Sequence, residues 1–399
     1  MTKPSLSKDL SFLILATQLQ WDEKSKLKIN ELFSFPINWS NITFLSELLG
    51  LNAFIYEFLI KNNLESLVPK IFFLKFQKAY QRQGLETIFL KRQIKDIQEI
   101  FTQKKIKFCF LKGAELLDRI YITPIRPMSD IDILCKPEDL KTIQDCLKNL
   151  GYYQKTMHQS QELASLSTIQ KHFPPFFHEK RHTVEIHFNL FSGLLLDENL
   201  TKEAWNTAIP VRESEQFNLS KEYHLLFMCN HLAYHILSPR EGLVLYWFCD
   251  ISEWIKKYNK KIDWSFFSEL EHSELKDRVF SVLNLIKKEW SPPIPSALFE
   301  NYKDSKDWSL NIILEKITGN DDGLKRKRRI FRYYWQIWFN KTPQWSYKDR
   351  INYWLRLLFP QTSYIKDRYK IKNKILIKII QIFHPLFIFH RAVKRLTIK

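Results

Sequence analysis

The chain has 399 residues, a formal charge of +18, 45% apolar residues, 15% aromatic residues and only eight glycines. That length accommodates two or three domains with real cores, and the apolar and aromatic content excludes intrinsic disorder. Scarce glycine disfavours loop-rich β architectures and glycine-rich phosphate loops, and neither GxGxxG nor GxxxxGKS/T occurs.

The charge is concentrated. Residues 324–399 hold 20 Lys and Arg against two acids, Asp349 and Asp367, whereas the preceding chain is balanced at 41 of each sign. The five cysteines (Cys109, Cys135, Cys146, Cys229, Cys249) form no CxxC and read as small core residues in a reducing compartment. The apolar stretch Phe12–Ala16 is too short for a secretory signal, and no window of about 18 apolar residues marks a spanning helix. A cytoplasmic protein is expected.

In chain order, residues 1–103 predict a helical region, with Pro36 and Pro69 at helix boundaries. Its clearest stripe is Ile88, Phe89, Ile94, Ile97, Ile100 and Phe101, opposed by Lys91, Arg92, Lys95, Asp96 and Glu99. Residues 104–198 predict an α/β core. A short strand over 107–111 is broken at Gly113, a helix follows over 114–120, and Met128–Cys135 alternates as a second strand. A helix runs from Pro137 to Leu150, with Glu138 and Asp139 at its positive end and Gly151 at its stop, and a third strand covers Thr183–Phe188. Residues 199–295 predict a second helical domain, with Trp247, Phe248, Ile251 and Trp254 on one face. Ser291–Pro295 reads as a linker, and 296–399 as linker and basic, aromatic-rich helical tail. The expected fold class is α+β, predominantly helical, with a small mixed sheet flanked by helical regions.

Alternation in the second strand places Asp130 and Asp132 on one face, about 7 Å apart, with Ile131 and Ile133 on the other. Two such carboxylates either belong to a solvated edge strand or hold a cation, and oxygen ligands of this kind suit Mg²⁺. The third strand puts Glu185 and His187 on one face, supplying a third carboxylate. The junction Phe110-Leu-Lys-Gly-Ala114 lets backbone N–H groups approach phosphate, with Lys112 as a point charge. In this order the parts match an in-line phosphoryl or nucleotidyl transfer site using two metal ions.

The stretches Leu111-Lys-Gly-Ala, Arg126-Pro-Met-Ser-Asp-Ile-Asp-Ile-Leu and Val184-Glu-Ile-His resemble the nucleotidyltransferase family of the polymerase-β-like superfamily. They are most similar to its uncharacterised bacterial branch with LKG, RxxxDIDLL and ELH motifs. The motifs span about residues 85–190, with a looser likeness through His231, His235, Asp250 and Trp264. The resemblance implies a small mixed sheet that binds an NTP with two Mg²⁺ ions, transfers an NMP group to an acceptor and releases pyrophosphate. On it, Lys112 and Gly113 lie at the nucleotide phosphates, and Ala114, Ser129 and Arg126 complete the nucleotide-binding set. Asp130 and Asp132 hold the metals, and Glu185 completes the metal site and helps deprotonate the acceptor hydroxyl. The superfamily's usual Gly-Ser or Gly-Gly is Gly113-Ala114 here, which removes a hydroxyl that can contact phosphate.

Other residues carry two readings each. Arg126 either contacts the triphosphate or pairs with Asp130 or Asp132. His187 either orients an acceptor or a metal-bound water, or is a satisfied polar residue at the site edge. His172, His178 and His182 lack a thiolate partner for zinc. His231 and His235, four apart, read as helix packing or a substrate contact before a metal pair. In the basic segment, Lys325-Arg-Lys-Arg-Arg329 leads into Phe331, Tyr333, Tyr334, Trp335 and Trp338, and Ile375–Phe383 and Pro385–Phe389 are strongly apolar. Three roles fit residues 324–399: a packed helical appendage, an RNA-binding surface, or a peripheral anchor on the anionic inner face of a membrane. The alternative to an enzyme is thus a non-catalytic binding protein acting through this tail.

Overall fold

The computed structural model describes residues 4–154, 172–191, 198–237, 244–271, 273–300 and 373–397, with a few positions between 302 and 365. Five helices come first: α1 (Pro4–Thr17), α2 (Glu23–Phe33), α3 (Trp39–Leu49), α4 (Asn52–Lys61) and the long α5 (Lys70–Gln103). Their boundaries have local causes. The side chains of Asp22 and Asn38 accept the N–H groups of Ser25 and Asn41, capping α2 and α3. Gly50, at φ +71°, supplies the left-handed turn that ends α3, and Pro69 immediately precedes α5.

The α/β region then runs β1 (Phe108–Phe110), α6 (Lys112–Leu116), β2 (Asp130–Cys135), α7 (Leu140–Asn149) and β3 (Thr183–His187). It continues through α8 (Glu198–Asn206), β4 (Ile209–Pro210) and β5 (Gln216–Asn218). Helices α9 (Lys221–Leu237), α10 (Tyr246–Tyr258), α11 (Ser265–Ser268) and α12 (Ser273–Trp290) follow, and α13 spans Lys374–Thr397. The architecture is α+β and predominantly helical, around one mixed sheet of strand order β3-β2-β1-β5-β4. Strand β2 is antiparallel to β1 and parallel to β3, while β5 is parallel to β1 and antiparallel to β4.

Strand alternation divides the interior into two cores. Phe108, Phe110, Ile131, Ile133, Cys135, Val184 and Ile186 pack on Leu90, Ile97 and Phe101 of α5 and Ile143, Cys146 and Leu147 of α7. On the opposite face, Cys109, Leu111 and Leu134 join a larger core with α1, α3, α4, α9, α10 and α12. Phe12, Leu13, Leu15 and Ala16 are buried in that larger core, and all five cysteines are buried and free. The glycine stop is as expected, with Gly151 at φ +88° just past α7.

Three expectations need correction. The helix expected over 114–120 is instead the single turn Lys112–Leu116, followed by a bridge between Leu117 and Tyr121. Strands β4 and β5 lie inside the stretch read as helical. At two and three residues they are too short to show alternation, and β5 forms because β1 offers it a free edge. Within the segment read as a linker at 291–295, Ile294 is buried in the larger core, as is Leu298 just beyond it. Lys325–Arg329 and the aromatic residues 331–338 lie outside the described residues. Among the described residues, no helix is long and apolar enough to cross a membrane.

Candidate functional site

The register of β2 on β3 assembles the site. Asp132 lies opposite Glu185 and Leu134 opposite His187, so the period of two brings Asp132, Glu185 and His187 to one side while the isoleucines between them face the smaller core. One ligand atom from each of these three residues lies within 4.8 Å of the others, and among the described residues this is the group that converges so. His187 Nε2 is 2.7 Å from Asp132 Oδ1 and 3.9 Å from Glu185 Oε2. Lys112 donates from Nζ to the same Asp132 Oδ1 at 2.9 Å. Phe227 of α9 closes the cluster from above, its ring 5.9 Å from the Lys112 ammonium and 6.0 Å from the His187 ring.

Lys112 reaches this position through its backbone. β1 extends one bond further, from Leu111 N–H to the Asp132 carbonyl at 3.0 Å, and Lys112 then adopts φ +46°. A left-handed conformation costs a residue with a side chain about 1–3 kcal/mol. Here it heads α6, and the lysine ammonium is held on the acidic cluster.

The electrostatics follow from burial and neighbours. Burial alone would raise the Asp132 carboxyl, but the Lys112 ammonium and the hydrogen bond from His187 override it and hold it well below the ordinary range. Burial raises Glu185 and Asp130, and repulsion from Asp132 adds to both shifts. Burial opposes the charge on Lys112, yet Asp132 and Asp130 outweigh it and raise its pKa. Three carboxylates therefore face one ammonium, an excess of negative charge that a divalent cation would relieve. Two carboxylates and an imidazole within one cluster form a donor set such a cation can use.

The remaining expected residues are placed as follows. Asp130 sits one strand repeat before Asp132, opposite Thr183, and its Oδ1 accepts from the exposed Ser129 hydroxyl at 3.1 Å, so it lies outside the three-residue group. Ala114 is buried in the smaller core. Arg126 pairs with neither Asp130 nor Asp132. Its guanidinium, 4% exposed, grips Asp250 of α10 with Nε at 2.9 Å and Nη2 at 2.7 Å, and the Tyr121 hydroxyl donates to the same carboxylate at 2.6 Å. Gly113 is explained by the same contact: a Cβ there would stand 2.3 Å from Arg126 Nη1 and 2.8 Å from Met128 Sδ. The glycine lets arginine lie against the backbone between α6 and the start of β2.

The histidines separate into two groups. The His231 and His235 rings are 4.5 Å apart, and both pack on Trp247. His178 lies against Tyr152, and the His182 carbonyl accepts from Gln93. His172 alone of its trio reaches the site, with its ring 5.3 Å from that of His187. His187, expected on the Glu185 face to orient an acceptor or a metal-bound water or to sit at the site edge, joins the ligand cluster. One pairing exceeds the sequence reading. Asp250 anchors Arg126 from 124 positions away, and no local pattern announces that. No curated protein and no solved structure significantly matches the chain. The model of a family described as an uncharacterised nucleotidyltransferase matches residues 36–290, well over half of the sequence, and the chain belongs to that family.

Proposed function

We propose that this protein is a metal-dependent nucleotidyltransferase of the polymerase-β-like type, moving an NMP group from an NTP to an acceptor hydroxyl or phosphate. The observation that carries the reading is the convergence of Asp132, Glu185 and His187 within 4.8 Å, with Lys112 bound to Asp132. Family membership supports transfer of a nucleotidyl group.

In this reading Asp132, Glu185 and Asp130 would hold two Mg²⁺ ions, whose charge offsets that of the triphosphate and of the departing pyrophosphate. His187 fixes the orientation of Asp132 through its 2.7 Å hydrogen bond. Lys112, beside the cluster, supplies a further positive charge for phosphate oxygens, and the exposed Ser129 borders the nucleotide, while the buried Gly113 and Ala114 shape the turn behind it. Glu185 accepts the acceptor hydroxyl's proton. The acceptor oxygen bonds to the α-phosphorus as the bridging bond to the β-phosphate breaks, and that electron pair leaves with pyrophosphate. Arg126 acts at one remove, tying Gly113 and the start of β2 to α10.

The test incubates the protein with each α-labelled NTP, Mg²⁺ and cell extract as a source of acceptor. Wild-type protein should yield a labelled product that Asp130→Asn/Asp132→Asn loses. Equal labelling by both proteins, or none by either, would overturn the assignment.

A further inference from the structure

Helix α13 has an unusual surface. Ile377 is fully buried and His384 is 5% exposed, so this side of the helix packs on the protein. On the outward side, Ile375, Leu376, Ile379, Ile382, Phe383 and Leu386 are between 44% and 72% exposed. At about 100° per residue, these six fall within a single arc of about 120°. The arc faces away from the packed side, and Lys374 and Lys378, both exposed, lie between the two on one flank. A surface helix normally turns its polar stripe to water, whereas this one turns an aliphatic stripe outward. Burying such a stripe is favourable, and nothing in the described structure does so.

Charge distinguishes among the partners that could cover it. From Arg368 to Lys399 the sequence has nine Lys and Arg and no acidic residue. A second copy docked on the same face would set two such segments against each other with no acid to neutralise them. Single-stranded nucleic acid would be held by rings that stack on bases, yet of the six outward side chains only Phe383 is aromatic. An anionic bilayer satisfies both features: the apolar arc enters the acyl boundary while the lysines and arginines reach headgroup phosphates.

We infer that α13 is an in-plane membrane anchor, docking the protein on anionic lipid through Ile375, Leu376, Ile379, Ile382, Phe383 and Leu386. It lies on the surface and does not cross it. The inference stands apart from the catalytic assignment, since none of these residues belongs to the Asp132–Glu185–His187 cluster.

The experiment is flotation of the full chain with vesicles of phosphatidylcholine alone or with about 30% phosphatidylglycerol. Binding to the anionic vesicles should be at least about tenfold stronger and should weaken with salt. Ile379→Asp/Phe383→Asp should lower it at least about tenfold while circular dichroism stays native. Phe383→Trp keeps the apolar face, so the difference between its emission and that of the wild type, which holds twelve tryptophans, reports the contact even if the double variant misfolds. It should shift to the blue with anionic vesicles and not with RNA. Failure of the wild type to float would overturn the proposal, as would equal flotation of the Ile379→Asp/Phe383→Asp protein. So would a Phe383→Trp shift produced by RNA alone, or by self-association without lipid.

Discussion

The two faces of the central sheet are built from the same strands and do opposite work. On β2 and β3, Ile131, Ile133, Val184 and Ile186 are fully buried against α5 and α7. One residue away along the backbone, Asp132, Glu185 and His187 form a charged cluster with Lys112. The strand's alternation insulates the two. Stability is concentrated in the even-spaced apolar set, and the excess negative charge is confined to the other, where a bound cation can offset it. Arg126 and Asp250 form the strut between the regions, joining the loop before β2 to the larger helical core through α10.

Breaking that strut should have the largest effect on stability. Arg126→Ala would leave Asp250 as a buried, uncompensated charge and is expected to cost about 3–5 kcal/mol in urea unfolding. Arg126→Met/Asp250→Leu, which removes both charges, should recover much of it. A double variant as unstable as the single one would show that packing, and not the ion pair, is what matters there.

Adjacent residues on β3 separate the two faces directly. Ile186→Ala should lower stability by about 2–4 kcal/mol through the cavity it leaves, with metal affinity retained in isothermal calorimetry. Glu185→Gln should do the reverse. It relieves repulsion with Asp132, so the melting temperature should hold or rise, while Mg²⁺ binding weakens and transfer falls at least about a hundredfold. If both substitutions changed stability and metal affinity alike, the two faces would not be independent.

A smaller effect sharpens the comparison through pH. Glu115 on α6 is 3% exposed, and burial, partly countered by Arg119 and Lys221, pushes its carboxyl up to about 7. The folded state therefore holds this proton more tightly than the unfolded chain. Its contribution is complete below about pH 4.5 and is lost as pH rises through about 7. Glu115→Gln should flatten that dependence and stabilise the protein above neutrality, by up to about 3 kcal/mol in denaturant titrations. An unchanged pH profile would show that the Arg119 ion pair at 3.1 Å already keeps Glu115 charged.

Much of this organisation is legible locally. The run Met128–Cys135 and the pair Glu185/His187 reveal strands with one charged and one apolar face, because a period of two needs only neighbouring residues. Gly151 after α7 is likewise a short-range signal. The hairpin of β4 and β5 is not legible, since Gln216–Asn218 becomes a strand only by bonding to Phe108 and Cys109. Arg126 is ambiguous for the same kind of reason: its partner sits 124 residues away, on a helix whose own pattern shows only packing.

The sequence by itself therefore determined the predominantly helical class with a small sheet, the concentration of charge in residues 324–399 and the same-face placement of Asp130 with Asp132 and of Glu185 with His187. These depend on composition and on spacings of two to four residues. Only the tertiary structure decided that His187 and Lys112 converge on Asp132, that Gly113 makes room for Arg126, and that α13 turns an aliphatic stripe outward. Each of those depends on which distant elements pack together, and so on burial and pairing that no local spacing encodes.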